Sequence, residues 1–148
     1  MDAKKPTIAI ASDHAGFRYK QAIIAHLQQG GYTVKDFGAY NAEPSDYPAW
    51  IRPAAEAVAR GDYDRGIVLG GSGNGEQIVA NKVRGIRCPV VFSIDTATWG
   101  RTHNNANCIA IGERTIPLEL ALQCVDIFLT APFEGGRHQR RVDLIEPA

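Results

Sequence analysis

The sequence predicts an α/β protein, a doubly wound (Rossmann-like) three-layer sandwich built on a five-stranded parallel sheet. Short, β-branched and largely apolar runs recur along the chain, and stretches with helical spacing separate them. Strands buried on both faces read as such continuous apolar runs. With 148 residues, 45% hydrophobic and 22% charged, the chain has the apolar content for a full core and the length of one ordinary domain.

Thr7 to Ser12 (TIAIAS) is the first expected strand, and Phe17 to Gln29 the first helix, stopped by Gly30-Gly31. Thr33 to Gly38 (TVKDFG) is the second strand, followed by a helix over Tyr47 to Arg60. Gly66 to Gly70 (GIVLG) leads into a helix over Gly75 to Lys82, and Pro89 to Ser93 (PVVFS) into one over Thr96 to Asn104. Cys108 to Gly112 (CIAIG) is the fifth strand, and Pro117 opens the last long helix, to Thr130. With no internal repeat, low-complexity run or linker, residues 1–148 are expected to form one domain, loose only over the first five and last few residues.

Sixteen basic and sixteen acidic residues leave no net field to gather nucleic acid or an anionic membrane, which favours a small-molecule partner. MDAKKP lacks an apolar stretch behind its lysines, and no run approaches a membrane span, so a cytoplasmic protein is expected. Cys88, Cys108 and Cys124 lie in apolar surroundings without CxxC spacing, which points to buried free thiols in a reducing compartment rather than to a metal site, a disulfide or a nucleophile.

The stretch GGSGNGEQ, Gly70 to Gln77, joins the third strand to its helix. Glycines let backbone N–H groups approach a ligand, and a helix N-terminus adds unpaired donors and a positive dipole end, so the loop reads as an anion cradle beside an acid, Glu76. A carboxylate there is expected to stay ionised. Ordinary turn chemistry competes with this reading, since Asn74 and Gln77 fit a capping box. The loop has neither a Walker Lys-Ser or Lys-Thr pair nor GxGxxG spacing.

In an open parallel sheet the ligand lies beyond the carboxyl ends of the strands. There the sequence sets Asp13-His14, Ser72 and Glu76, Asp95, and Glu113-Arg114. Singly, Asp13 serves as a helix cap, Ser72 as a turn residue and Arg114 as a solvated charge; their convergence on one rim argues for a site. His103-Asn104-Asn105 falls on the opposite rim. It is either a helix stop or a contribution to a second subunit's site. In GGRHQRRVDLI, Arg137 and Arg141 share a face if helical, with His138 and Arg140 alongside: a solvated helix end or a phosphate grip.

SDHAG (Ser12 to Gly16), DYP (Asp46 to Pro48), GGSGNGEQIVANK (Gly70 to Lys82), HNNAN (His103 to Asn107), IGER (Ile111 to Arg114) and GGRHQRR (Gly135 to Arg141) together resemble the type B ribose-5-phosphate isomerases, relatives of the galactose-6-phosphate isomerase subunits. The resemblance runs from about Ile8 to Ile145. It implies interconversion of D-ribose 5-phosphate and D-ribulose 5-phosphate in the pentose phosphate pathway, without metal or organic cofactor, in a homodimer or homotetramer whose sites are shared between chains. It further implies Glu76 as the base, Ser72 as a proton relay, His103 as the ring-opening acid/base and Asn104 as a donor to the enediolate. Gly71, Gly73, Asn74 and Gly75 would form the oxyanion hole, Asp13 would hold a sugar hydroxyl, and Tyr47 would line the pocket or simply pack. His14, Arg114, Arg137 and Arg141 resemble phosphate ligands, which gives the tail 131–148 the task of completing a site or interface.

Many members carry Cys at the position of Gly70 and use its thiolate as base; this chain resembles the subgroup in which Glu76 takes that part. A hexose 6-phosphate (allose or galactose) isomerase, a partner in a hetero-oligomer, and a non-catalytic sugar-phosphate-binding module are the alternatives. His26 is expected at a helix surface, Trp50 and Trp99 in core or interface, and Lys82 at a helix end where its charge complements the dipole.

Overall fold

A computed structural model describes residues 4–147. The elements are β1 (Ile8–Ser12), a 3-10 turn (His14–Gly16), α1 (Phe17–Gln29), β2 (Val34–Asp36), α2 (Tyr47–Ala59), β3 (Arg65–Gly70), α3 (Asn74–Asn81), α4 (Ile94–Thr102), β4 (Cys108–Gly112), α5 (Leu118–Thr130) and α6 (Arg137–Asp143). The strands are all parallel, in the order β2-β1-β3-β4, with Ile10 opposite Ile67 and Ile67 opposite Ile109.

Among the described residues the sheet has four strands, not the five expected. Pro89 to Ser93, the predicted fourth strand, runs beside β4 and exchanges two backbone bonds with it, Val91 N–H to the Ala110 carbonyl (2.8 Å) and Ala110 N–H to the Pro89 carbonyl (2.9 Å). It goes no further for local reasons. Pro89 has no N–H, and Asn81 occupies both the N–H and the carbonyl of Cys88 at 2.8 Å. At the other end Thr96 Oγ1 takes the N–H groups of Phe92 and Ser93, closing a capping box with Ser93 that starts α4.

Alternation along the strands sorts the core into two layers. Ile8, Ile10, Ile67, Leu69, Ile109 and Ile111 pack with Ile23 and Leu27 of α1 and with Val125 and Phe128 of α5. Ala9, Ala11, Val68 and Ala110 face Ile51, Ala55 and Val58 of α2 and Val79 of α3. Small residues on that face let α2 and α3 lie close to the sheet, and α3 carries Glu76. At the end of α1, Gly31 takes φ +83° and Tyr32 N–H reaches the Leu27 carbonyl, the stop read from Gly30-Gly31. Of the N-terminal residues expected to be loose, 1–3 lie outside the described residues, while Lys5 donates to the Gly30 carbonyl. No helix among the described residues is long and apolar enough to cross a membrane.

Lys20 is fully buried, its ammonium 2.6 Å from Asp36 Oδ1 and 2.5 Å from the Ala39 carbonyl. Asp36 Oδ1 also accepts from Gly38 N–H at 2.8 Å, and Gly38 and Ala39 bond to Ser12. The charge therefore fastens the segment after β2 to the end of β1 that carries Asp13. Lys20→Met is expected to destabilise the fold by about 2–3 kcal/mol in urea unfolding, because the Asp36 carboxylate and the Ala39 carbonyl lose their donor. A midpoint and slope equal to wild type would deny Lys20 this part.

Candidate active site

A cleft of about 410 Å³ opens at the carboxyl rim, lined by Asp13, His14, Ala15, Tyr47, Gly71, Ser72, Gly75, Glu76, Arg114 and Thr115. Eight of the candidates from sequence thus meet here, drawn from the ends of β1, β3 and β4 and the start of α2. Ala15 and Thr115 were not foreseen; neither carries a signal beyond its neighbour in the motif.

The glycine loop is held on the end of β4. Gly73 takes φ +84°, which a side chain rarely adopts, and serves as the N-cap of α3 without any side-chain cap. Asn74 is already helical, so the capping box with Gln77 does not form; instead Asn74 N–H reaches Ser72 Oγ at 3.2 Å. Gly73 and Asn74 do not line the cleft.

Glu76 is 4% exposed, and its carboxylate lies over Gly70: a Cβ on Gly70 would stand 2.0 Å from Oε1. Burial foremost, with the Asp13 charge nearby, pushes the Glu76 pKa up from its ordinary value of 4.5, while a backbone hydrogen bond opposes the rise. Removal from water outweighs the backbone donor in setting the direction of this shift. A raised pKa suits a general base that must take a proton from carbon.

Asp13 does serve as a cap, its Oδ1 accepting from the N–H groups of Ala15 (2.9 Å) and Gly16 (3.2 Å) while it borders the cleft. His14 Nδ1 accepts from Ser45 N–H at 3.1 Å, so a neutral ring carries its proton on Nε2. The Tyr47 ring lies against Gly75, where a Cβ would come within 2.5 Å of it. Arg114 reaches across Gly71, its Nη1 3.2 Å from where a Cβ on that glycine would stand. Glu113 is structural: its Oε1 accepts from Tyr19 N–H at 2.9 Å in the first turn of α1. Asp95 lies outside the cleft, in the exposed first turn of α4.

His103, Asn104, Arg137 and Arg141 do not line this cleft. His103 caps the end of α4 and precedes β4, which sets it on the opposite rim. Arg101, buried, fixes the loop by donating to Asn105 Oδ1 (2.9 Å) and the Ala106 carbonyl (2.8 Å), and Asn105 takes φ +48°. Burial, followed by the charges of Arg65 and Arg87, lowers Arg101 to about 10, which leaves it charged at neutral pH. Asn104 borders a separate pocket of about 280 Å³ with Asn81, Arg87 and Ile145. Arg137 and Arg141 are exposed on α6, whose approach is tied to the same rim by Glu134 N–H bonding the Thr102 carbonyl at 3.0 Å.

Cys88, Cys108 and Cys124 are buried free thiols, as expected, and burial raises the pKa of Cys88 and Cys124. Activity is expected to survive iodoacetamide at neutral pH. Rapid inactivation that substrate prevents would put a thiol in the mechanism and Glu76 out of it. His26 pairs at the surface with Asp126 at 2.8 Å, and Trp99 is half exposed.

Fold and cleft define an α/β protein in which the titratable side chains of Asp13, His14, Glu76 and Arg114 gather at the carboxyl rim of a parallel sheet. Residues 8–145 match the family described as Ribose/Galactose Isomerase. The chain is 49% identical over 140 residues to ribose-5-phosphate isomerase B of Mycolicibacterium paratuberculosis, covering 93% of this chain and 88% of that one. A solved ribose-5-phosphate isomerase B of Clostridium thermocellum superposes with a TM-score of 0.92 at 48% identity, covering 94% of each chain. Its counterpart from Mycoplasma genitalium, with bound ribulose-5-phosphate, gives 0.90 at 41% identity, covering 94% of this chain and 93% of that one. The chain belongs to the ribose/galactose isomerase family and, within it, to the type B ribose-5-phosphate isomerases.

Proposed function

We propose that this chain interconverts D-ribose 5-phosphate and D-ribulose 5-phosphate, a step of the pentose phosphate pathway, with Glu76 as the base. The observation that carries the reading is the buried Glu76 carboxylate, held over Gly70 beside a loop of backbone donors in a cleft that also contains Arg114 and His14. The Mycoplasma genitalium relative, solved with ribulose-5-phosphate, supports a phosphosugar as the occupant.

After ring opening, Glu76 takes the C2 proton. The C2–H electrons form the C1–C2 double bond, and the aldehyde π electrons move onto O1. The N–H groups of Gly71, Ser72 and Gly75, which border the cleft, receive that negative charge, Ser72 passes a proton between O2 and O1, and protonated Glu76 delivers its proton to C1. Asp13 holds a sugar hydroxyl, and His14 Nε2–H and Arg114 hold the phosphate.

Ring opening falls to an acid/base from outside this cleft, where Glu76, His14 and Asp13 already have parts. His103 and Asn104, with Arg137 and Arg141, supply it from the opposite rim of a second copy, in a homodimer or a homotetramer built from dimers, with the tail beyond residue 130 completing the shared site. Three buried free thiols accord with a cytoplasmic enzyme. The test is incubation of the purified protein with ribose 5-phosphate, and separately with allose 6-phosphate, in deuterated water. Ketose formation with deuterium at C1 from the pentose is expected; turnover of the hexose alone would reassign the substrate, and neither turnover nor exchange would favour a binding module.

A further inference from the structure

The rim that carries His103 holds a second constellation. His103 and His138 stack with ring centroids 4.3 Å apart and 11° between their planes, and Glu134 Oε1 lies 3.9 Å from His103 Nε2 and 3.7 Å from His138 Nε2. One ligand atom from each of the three side chains falls within 4.8 Å of the others. The Nε2 of His138 is buried and has no hydrogen-bond partner among the described residues, so a nitrogen with a lone pair or a proton to place faces this group unsatisfied. The backbone is set: His138 lies in α6, His103 ends α4, and Glu134 is anchored to Thr102.

Two imidazoles and a carboxylate are the donors that zinc and its neighbours in the transition series prefer, whereas magnesium and calcium prefer oxygen alone. We propose that His103, Glu134 and His138 form a site for a borderline divalent cation of the zinc class. A metal lies in the plane of each imidazole it binds, so the rings must leave their parallel stack. The exposed Glu134 side chain can then close the third position, and solvent the fourth. Resting on the role proposed for His103, occupation removes the ring-opening group from service, and zinc is therefore an inhibitor of this enzyme rather than a cofactor.

Calorimetric titration of tag-free protein with zinc sulfate is expected to give one ion per chain at low micromolar concentration, with no heat from magnesium. Glu134→Gln and His138→Gln are each expected to weaken binding by more than about tenfold, since loss of a partner even outside the ligand set costs that much. Zinc should also shift the ring resonances of His103 and His138 in wild-type protein and leave those of His14 and His26, a readout that needs no variant. No binding, binding unaltered in both variants, or shifts confined to His14 or His26 would overturn the site. Zinc is expected to suppress isomerisation reversibly, with chelator restoring it, and to do so poorly in the two variants. Binding at these residues with undiminished turnover would uphold the site and overturn its link to ring opening.

Discussion

Glu76→Gln is expected to lower turnover of ribose 5-phosphate on the order of 10³-fold or more while sugar-phosphate binding stays close to wild type, because a neutral amide of the same shape cannot accept the C2 proton. The readout is kcat and KM together; near-normal kcat would sink the assignment of Glu76. Stability is expected to move the other way. The folded-state pKa of Glu76 is raised, so its contribution to stability is full below the ordinary value of 4.5 and is lost as pH rises through the folded value. Above the folded value the wild type holds a buried ionised carboxylate at a cost, and the amide relieves it. The Tm of Glu76→Gln at neutral pH is therefore expected to equal or exceed that of wild type, with the difference narrowing on acidification. A lower Tm at neutral pH would mean that the carboxylate is better satisfied than burial implies. The acid limb of kcat/KM should likewise lie above the ordinary carboxylate range.

Gly70→Ala is expected to cut kcat about a hundredfold or more with little change in fold. The added Cβ would stand 2.0 Å from Glu76 Oε1 and 2.3 Å from Cδ, so one of them must move. Strand β3 is fixed on both sides by β1 and β4, whereas the Glu76 side chain has three rotatable bonds, so the carboxylate gives way. A displacement of about 1 Å in a reacting group is worth about 10² in rate. Circular dichroism and thermal unfolding should remain close to wild type, and the loss should appear in kcat more than in KM. Turnover near wild type would show that the carboxylate works from another position.

The fold was largely legible because its determinants are local. The helical spacing of Phe17 to Gln29 and the double glycine behind it delimit α1 to the residue. The run CIAIG does the same for β4. PVVFS has the same apolar composition but fails as a strand, since the side chains of Asn81 and Thr96 take backbone groups that a ladder would use. Those bonds depend on residues outside the run and leave no periodicity to read.

The cleft was legible as a set of strand ends, and for Asp13, His14, Ser72, Glu76 and Arg114 strand topology sufficed. It was less legible in its electrostatics. From sequence, Glu76 is an acid at a helix N-terminus; its burial against Gly70 comes from packing, and burial decides the direction of its pKa. The grouping of His103 with His138 was also out of reach. Glu134 and His138 are four residues apart, which is visible, but His103 comes from another helix, and only the turn that ties Glu134 to Thr102 brings the three together.

Position 70 has a consequence for how such enzymes diverge. The space above it is one seat, occupied by the Glu76 carboxylate, and any side chain grown from the strand claims the same volume. A lineage passing from carboxylate to thiol chemistry cannot hold both reagents in place at once. A first step that installs cysteine evicts the carboxylate, and a first step that discards the carboxylate leaves the seat empty. On the role proposed for Glu76, positions 70 and 76 must therefore change as a linked pair.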